Sequence, residues 1–113
     1  GCGGGRDMKK RKKMGLIAVN HSSFSVFTSD NPRDENPEKI IDDMISGIDT
    51  IQLKKVFIEL DREIAIKLAL SMIDENCIVL IAGKGHENYK IIKSKKIEFN
   101  DSYVVKKSLK IAV

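Results

Sequence analysis

The apolar residues of this chain fall into short blocks whose spacing predicts helices and strands in alternation. One helical block, with apolar residues at three- and four-residue steps, comprises Ile40, Ile41, Met44, Ile45 and Ile48. A second block comprises Ile64, Ala65, Leu68, Ala69, Met72 and Ile73. Such spacing is typical of an amphipathic helix with one face against a core.

Polar residues mark where these two helices begin and end. Asn36 as N-cap, followed by Pro37 at the first helical position, predicts the start of the first helix. Gly47 predicts the end of the same helix. Asp61 is the expected N-cap of the second helix.

Two more helices are expected nearer the ends of the chain. The first would run over residues 8–20, with Asp7 as its cap. Its inward stripe would comprise Met14, Ile17 and Ala18. The other would start at Asp101 as its cap, and its apolar residues are Val104, Val105, Leu109 and Ala112.

Three short apolar runs predict parallel strands over residues 24–28, 55–59 and 77–82. The third run is apolar without alternation, as expected for a strand that is covered on both faces. Residues 89–92 and 96–99 would pair as an antiparallel hairpin. The order of elements therefore predicts one α/β domain over residues 1–113, with a Rossmann-like three-layer sheet that is mainly parallel and carries the hairpin at one edge.

Composition narrows the class of protein without identifying it. The chain has 113 residues, of which 42% are hydrophobic, which is enough for one modest core. No apolar run approaches the ~20 residues that a membrane helix needs, so we expect no membrane span. The two cysteines, Cys2 and Cys77, are too few for a disulfide framework, which favours a cytoplasmic protein. The cysteines and histidines show no ligand spacing, so no metal site is predicted.

The net charge of +4 is concentrated in one basic run, Lys9-Lys10-Arg11-Lys12-Lys13. Such a run is compatible with a non-catalytic module that binds RNA or another anion. No aromatic residue is interleaved with the run to stack on bases, so a solvated helix face is the preferred interpretation and nucleic acid is not an expected partner. The run also lies where the helix dipole disfavours cations, which hints at a nearby anion.

Candidate chemistry lies in three loops. The arginine turn, Thr28-Ser29-Asp30-Asn31-Pro32-Arg33, follows the first predicted strand. The glutamate loop, Gly83-Lys84-Gly85-His86-Glu87, follows the third, and residues 1–7 form the glycine loop. In open α/β sheets ligands bind beyond the carboxyl ends of the strands. We therefore expect the three loops to form one pocket.

The residue types in these loops favour an amino acid as ligand. Arg33 and Arg6 can each bind a carboxylate through a two-pronged fork. Asn31 offers a donor and an acceptor, Glu87 suits an ammonium group, and Gly83 lets a ligand approach the backbone. Two cationic forks and one anion match an amino acid with more than one charged centre.

Simpler interpretations of each loop stay open at this point. Taken alone, the arginine turn could be no more than the entry to a helix. The glutamate loop resembles part of a phosphate loop, but it lacks the glycine spacing and the Ser or Thr after the lysine. His86 could act as a general base, although no nucleophile lies near it in sequence.

In their order and spacing, four segments resemble the C-terminal domain of the Mur ligases over nearly the whole chain. They are residues 1–7, Met14-Gly15, the arginine turn, and Ala82 with the glutamate loop and Tyr89. The Asp-Asn-Pro-Arg motif of residues 30–33 resembles that of the family members that add meso-diaminopimelate, rather than L-lysine, to a peptidoglycan precursor.

The resemblance implies a meso-diaminopimelate site made of Arg6, Asp30, Asn31, Pro32, Arg33, Gly83 and Glu87. Arg33 and Asn31 would hold the carboxylate and the amine at the far end of the ligand, and Arg6 would hold a carboxylate as well. The other four residues would shape the turn or complete the pocket. A close analogue with the same two-ended charge pattern, such as meso-lanthionine, would also fit.

The resemblance further implies ATP-dependent amide formation, in which the carboxylate of a UDP-MurNAc dipeptide is phosphorylated and then attacked by the diaminopimelate amine. ATP and Mg²⁺ would bind mainly outside this chain, which has no Gly-Lys-Thr/Ser phosphate loop. The chain would be a part of the ligase that is inactive alone and lacks the first strands of the family's domain. The rest of the ligase, or a second copy, would then cover an exposed sheet edge.

Overall fold

The computed structural model describes residues 1–110, which form a mixture of helices and strands. The helices are α1 (Lys9–Asn20), α2 (Pro37–Ile45), α3 (Thr50–Leu53), α4 (Arg62–Ser71) and α5 (Asp101–Ser108). The strands are β1 (Ser25–Phe27), β2 (Val56–Ile58), β3 (Tyr89–Ile92) and β4 (Lys95–Glu98). No helix within this range is long and apolar enough to cross a membrane. Ala112, predicted on the face of the last helix, lies outside the described residues.

The strands form two pairs. β1 and β2 run parallel, with Val26 opposite Phe57. β3 and β4 form the predicted antiparallel hairpin, although the turn between them is Lys93-Ser94, one residue shorter than expected. A parallel bridge between Arg33 and Ile92 connects the arginine turn to this hairpin. The predicted α/β class, with a parallel part and an antiparallel hairpin, is confirmed. Within residues 1–110, however, the two parts are separate pairs rather than one sheet.

The predicted strand over residues 77–82 is wrong. The segment forms no strand, and the side chains of Ile78 and Leu80 are 95% and 87% exposed. Its composition suits a strand that is covered on both faces, but a strand exists only where a neighbouring backbone completes its hydrogen bonds. None of the described strands pairs with this segment.

Capping signals correctly predicted the starts of two helices. The side chain of Asn36 caps α2, and Pro37 is its first residue. Asp61 caps α4 in the same way. The short helix α3, which no apolar pattern indicated, starts after a similar cap at Asp49. Side-chain acceptors at these positions satisfy backbone N–H groups that the helix itself leaves unpaired.

Two predicted caps are wrong by one residue. Asn100, rather than Asp101, caps α5 through its side-chain oxygen. Asp101 is the first residue of the helix and is buried. At α1 the cap position is Met8, although the side chain of Asp7 still accepts a hydrogen bond from the backbone N of Lys9 at 2.9 Å.

The core lies where α1 and α2 meet the parallel strands. Its buried apolar residues are Cys2, Val19, Phe27, Ile40, Ile41, Met44 and Ile48. This set confirms the stripe predicted for α2. The backbones of α1 and α2 come closest at Gly15, where a Cβ atom would lie 1.9 Å from the carbonyl O of Met44. Only glycine allows that approach.

The inward face of α1 differs in part from the prediction, because, of the three predicted residues, only Ala18 packs against the core. Met14 and Ile17 are 43% and 54% exposed, whereas Arg11, Gly15 and Val19 are buried. The three buried residues follow one another at four-residue steps and therefore share one face of the helix. The close contact at Gly15 turns this face towards α2, so the apolar stripe suggested by Met14 and Ile17 lies towards solvent.

One member of the basic run is buried in an ion-pair cluster. Arg11 is 1% exposed, and its guanidinium donates to Glu35 Oε2 at 2.8 Å, to Asp43 Oδ2 at 2.9 Å and to the Gly3 carbonyl at 3.2 Å. These carboxylates are the nearby anions that we expected from the position of the basic run in the helix dipole. Glu35 also accepts a hydrogen bond from the backbone N of Gly5 at 2.6 Å. The cluster therefore attaches the glycine loop to the segment around α2.

This cluster makes the attachment dependent on pH. Hydrogen bonds from Arg11, and then from the N–H of Gly5, hold the pKa of Glu35 below its ordinary value of 4.5. The pKa of Asp43 is lowered as well, by Lys39 first and by Arg11 second. A carboxyl whose pKa is lower in the folded chain stabilises the fold above its unfolded pKa, and this contribution is lost as the pH falls through the folded pKa.

We expect Glu35→Gln to lower the free energy of unfolding at neutral pH. The amide keeps the shape of the side chain but has no negative charge to pair with Arg11. The difference in free energy of unfolding between parent and variant should disappear at acid pH, because Glu35 of the parent becomes protonated. Urea titrations of the chain at about pH 7 and about pH 3 would measure both free energies. Glu75→Gln, in an exposed turn, is the control, and an equal difference at the two pH values would contradict the prediction.

We expect Ile41→Ala to lower the free energy of unfolding by ~2–5 kcal/mol, because this side chain is 2% exposed and its removal leaves a cavity. Leu80→Ala removes as many carbon atoms from a side chain that is 87% exposed, and the change should stay below ~0.5 kcal/mol. Urea titration of both variants compares the two sites. A comparable loss at Leu80 would show that residues 77–82 are covered in solution.

Candidate functional site

Close backbone contacts bring the three loops together. The backbone N of Gly4 donates to the Asn31 carbonyl at 2.7 Å, and a Cβ atom on Gly4 would lie 1.9 Å from the carbonyl O of Pro32. Gly83 has a φ of 122°, and a Cβ atom there would lie 3.0 Å from Asp30 Oδ2. Glycine at these two positions therefore lets the glycine loop and the glutamate loop contact the arginine turn from two sides.

The two arginines of the predicted site both lie close to Gly3. A Cβ atom on Gly3 would lie 3.0 Å from Arg33 Nη1 and 3.3 Å from Arg6 Cγ. Arg33 Nη1 donates to the carbonyls of Gly4, at 2.7 Å, and Asn31, at 3.4 Å. Its Nη2 and Nε, like the guanidinium of exposed Arg6, donate to no residue in the range 1–110. These N–H groups can bind a carboxylate from outside.

Arg33 is held in an uncommon backbone conformation. Its φ of 54° lies in the left-handed region, which residues other than glycine rarely adopt. Its backbone N donates to the Ile91 carbonyl at 3.1 Å, and its own carbonyl accepts from the backbone N of Lys93 at 2.7 Å. Two bonds to the hairpin thus hold the backbone, while the glycine loop holds Nη1. Strain of this kind is common at residues with a functional side chain.

A polar cluster joins the arginine turn to the glutamate loop. The side chain of Lys84 is 0% exposed, and its Nζ lies 2.9 Å from Asp30 Oδ1 and 2.8 Å from Asn31 Oδ1. Asn31 Nδ2 donates to Glu87 Oε1 at 3.4 Å. The side chain of Glu87 is 35% exposed, so its carboxylate can also accept from a ligand ammonium.

The sequence interpretation missed the buried cations that hold these loops in place. Arg62 is 3% exposed, and its Nε and Nη2 each donate to the Asp101 carboxylate at 2.8 Å. The same guanidinium donates to the carbonyls of Ser29, at 3.2 Å, and Ala82, at 3.3 Å. A signal was present, because Arg62 and Arg11 both lie in the first turn of a helix, where the dipole disfavours a cation unless a carboxylate is near.

The groups around the pocket supply charge and hydrogen bonds. No group of three His, Cys, Asp or Glu residues between 1 and 110 is placed to hold a metal ion. Burial raises the pKa of the Cys2 thiol, which is therefore protonated and weakly nucleophilic at neutral pH. An arrangement of arginine forks, an amide and a carboxylate suits recognition of a ligand that carries carboxylate and ammonium groups.

Comparison with known proteins connects this arrangement to one family. The family model described as "Mur ligase, glutamate ligase domain" matches residues 1–85. The chain is 51% identical over 109 residues to the UDP-N-acetylmuramoyl-L-alanyl-D-glutamate–2,6-diaminopimelate ligase of Aquifex aeolicus. It is 48% identical over 109 residues to the ligase of the same name from Fusobacterium nucleatum. Each alignment covers 96% of this chain and 22% of the relative.

A solved structure agrees with these sequence matches. The structure of a UDP-N-acetylmuramoyl-L-alanyl-D-glutamate–2,6-diaminopimelate ligase matches with a TM-score of 0.90 and 40% identity, over 97% of this chain and 22% of that one. The chain thus spans about 22% of the length of the curated relatives named above. These matches give no support to the RNA-binding alternative, and the burial of Arg11 interrupts the basic run on which it rested. The family match over residues 1–85, the identity to full-length ligases and the shared fold show that the chain belongs to the Mur ligase family.

Proposed function

We propose that residues 1–113 are the amino-acid-binding part of a cytoplasmic ligase that adds meso-diaminopimelate to UDP-MurNAc-L-Ala-D-Glu in peptidoglycan precursor synthesis. The relatives cited above are named for this amino acid and this dipeptide. The observation that carries the proposal is the meeting of Arg33, Arg6, Asn31 and Glu87 where the three loops contact one another. Bond formation is assigned to the rest of the ligase.

The charges of the site suit both ends of meso-diaminopimelate, which has a carboxylate and an amine at each end. Arg33 and Asn31 would hold the far end, and Arg33 would use Nη2 and Nε because its Nη1 is bound to backbone carbonyls. Arg6 would bind a carboxylate, and Glu87 would accept from an ammonium group. L-Lysine has no second carboxylate, so it would leave one arginine fork unpaired.

The remaining site residues shape the pocket in this proposal. Pro32 is buried, and its carbonyl lies against Gly4, which fixes the path of the arginine turn. Gly83 leaves room for the carboxylate of Asp30. A Cβ atom at Gly4 would clash with the Pro32 carbonyl, and one at Gly83 would crowd the Asp30 carboxylate, so the loops would have to move apart.

ATP and Mg²⁺, which the family uses, would be bound mainly outside this chain. The sequence has no Gly-Lys-Thr/Ser phosphate loop, and the part described by the structure has no group of three metal-ligating side chains. Residues 1–110 therefore do not fit a Mg²⁺ site or a phosphate loop for ATP. The task of this chain is to bind the amino acid, to orient it and to keep its charges paired.

The full-length protein that contains this chain should use meso-diaminopimelate about 100-fold or more better than L-lysine, in kcat/KM. A site built to bind a polar group discriminates strongly against a ligand that lacks it. ADP release in the presence of UDP-MurNAc-L-Ala-D-Glu would be measured for both amino acids. Assays with meso-lanthionine would show whether the site distinguishes two ligands of the same charge pattern. Equal or better use of L-lysine would refute the proposed substrate.

Arg33→Ala should lower kcat/KM for meso-diaminopimelate by about 100-fold or more. Removing one partner of a buried charged pair, here with the ligand carboxylate, weakens binding by ~3 kcal/mol. Arg33→Lys should be intermediate, because it keeps the charge but not the two-pronged fork. Lys54→Ala, at an exposed cation, is the control. If Arg33→Ala stays within about twofold of the parent, Arg33 does not contact the ligand.

A further inference from the structure

The ammonium group of Lys84 is the most deeply buried charge around the pocket, and the proposed function gives it no task. Its side chain is 0% exposed. Its Nζ lies 2.8 Å from Asn31 Oδ1, 2.9 Å from Asp30 Oδ1 and 3.0 Å from the Tyr89 carbonyl. Two of its N–H groups donate to the oxygens of Asn31 and Tyr89, and its charge is paired with the Asp30 carboxylate. Lys84 is therefore placed to act through its neighbours rather than on the ligand.

The neighbour that Lys84 controls is the amide of Asn31. Asn31 Oδ1 accepts from Lys84 Nζ at 2.8 Å and from the backbone N of Ile91 at 2.9 Å. An amide oxygen has two lone pairs, so both are used. Turning the amide over would place its NH₂ group against two other donors, which fixes the orientation. The Nδ2 atom then faces Glu87, to which it donates one N–H group, and its second N–H group can donate to a ligand.

Lys84 also sets the charge next to this amide. Asp30 Oδ1 is paired with Lys84 Nζ at 2.9 Å, and the Asp30 side chain is 13% exposed. Without the lysine, the arginine turn would carry an unpaired carboxylate beside Asn31. A like charge so close would repel a ligand carboxylate. The ammonium group therefore sets the local charge and, together with the N–H of Ile91, the orientation of the amide.

We propose that Lys84 is a positioning residue that makes Asn31 a pure hydrogen-bond donor towards the ligand, and so makes this end of the pocket selective for a carboxylate. The inference rests on the proposed function for the identity of the ligand. It goes beyond that function because it assigns the selectivity to a residue that does not touch the ligand. In this scheme Asn31 binds the carboxylate next to Arg33, and the amine at that end is left to Glu87.

Lys84→Met in the full-length protein tests the proposal, because Met keeps an unbranched side chain of similar length without donors or charge. We expect the KM for meso-diaminopimelate to rise about tenfold or more, as a lost charge-assisted hydrogen bond does. The KM values for ATP and for the UDP-MurNAc dipeptide should stay within about twofold of the parent. The preference over L-lysine should fall about tenfold, because lysine has no far carboxylate to lose.

A merely structural role predicts a different result. If Lys84 only holds the glutamate loop against the arginine turn, the variant should lose both amino acids equally and should keep the preference of the parent. Lys90→Met is the matched control, since Lys90 Nζ lies over the ring of Phe99 at 5.2 Å and donates to no atom of Asn31. Unchanged preference in Lys84→Met, or equal shifts in the KM of every substrate, would overturn the proposal.

A double-mutant cycle provides a second, independent readout. In an Asn31→Ala background there is no amide to orient, so adding Lys84→Met should change the KM for the amino acid by less than about threefold. Multiplicative effects of the two substitutions would contradict the proposal. Lys84→Gln, which keeps one donor for Asn31 Oδ1, replaces Lys84→Met in both tests if the latter does not fold, and we expect it to be intermediate.

The two ideas fail in distinguishable ways. If the parent protein itself does not prefer meso-diaminopimelate over L-lysine, the proposed function is wrong. The cycle then still reports on Lys84, with whichever amino acid the parent uses. If the parent shows the preference and Lys84→Met keeps it, the proposed function stands and the role of Lys84 is wrong.

Discussion

The arrangement of this chain depends on pairing buried cations with carboxylates from distant segments. Arg62 and Asp101 form a two-pronged pair with both N–O distances at 2.8 Å, and their side chains are 3% and 8% exposed. Removing one partner of such a pair typically destabilises a protein by about 3–5 kcal/mol, because the other charge is left without compensation. Since the same guanidinium also binds the carbonyls of Ser29 and Ala82, this one pair fixes the arginine turn and the approach to the glutamate loop.

Two further buried cations follow the same rule. Arg11 and its carboxylates attach the glycine loop to α2, and Lys84 with Asp30 attaches the glutamate loop to the arginine turn. In each case the cation and the carboxylate come from different segments, so the charges are paired only when the segments are correctly placed. Arg6 and Arg33 stand outside this scheme. The protein thus separates the cations that build the pocket from those that are left for a ligand.

Features that depend on neighbouring residues could be predicted from the sequence, and features that depend on distant partners could not. The caps at Asn36 and Asp61 are local, and their side chains bond to the backbone two or three residues on. The glycine and arginine pattern of the three loops likewise predicted where candidate site residues gather. By contrast, Lys84 and Asn31 are 53 positions apart, and nothing near Lys84 in sequence indicates burial. The segment 77–82 shows the same limit, because an apolar run becomes a strand only beside another strand.

The left-handed backbone of Arg33 places two opposing demands on one position. Glycine adopts such a φ freely, whereas other residues are disfavoured there by roughly 1–2 kcal/mol. Only arginine, however, brings the fork that the pocket presents to a carboxylate. Glycine at position 33 would relieve this backbone strain, but it would remove the fork together with the hydrogen bonds from Nη1 to the carbonyls of Gly4 and Asn31. At this turn, thermal stability is a poor guide to whether a variant still works.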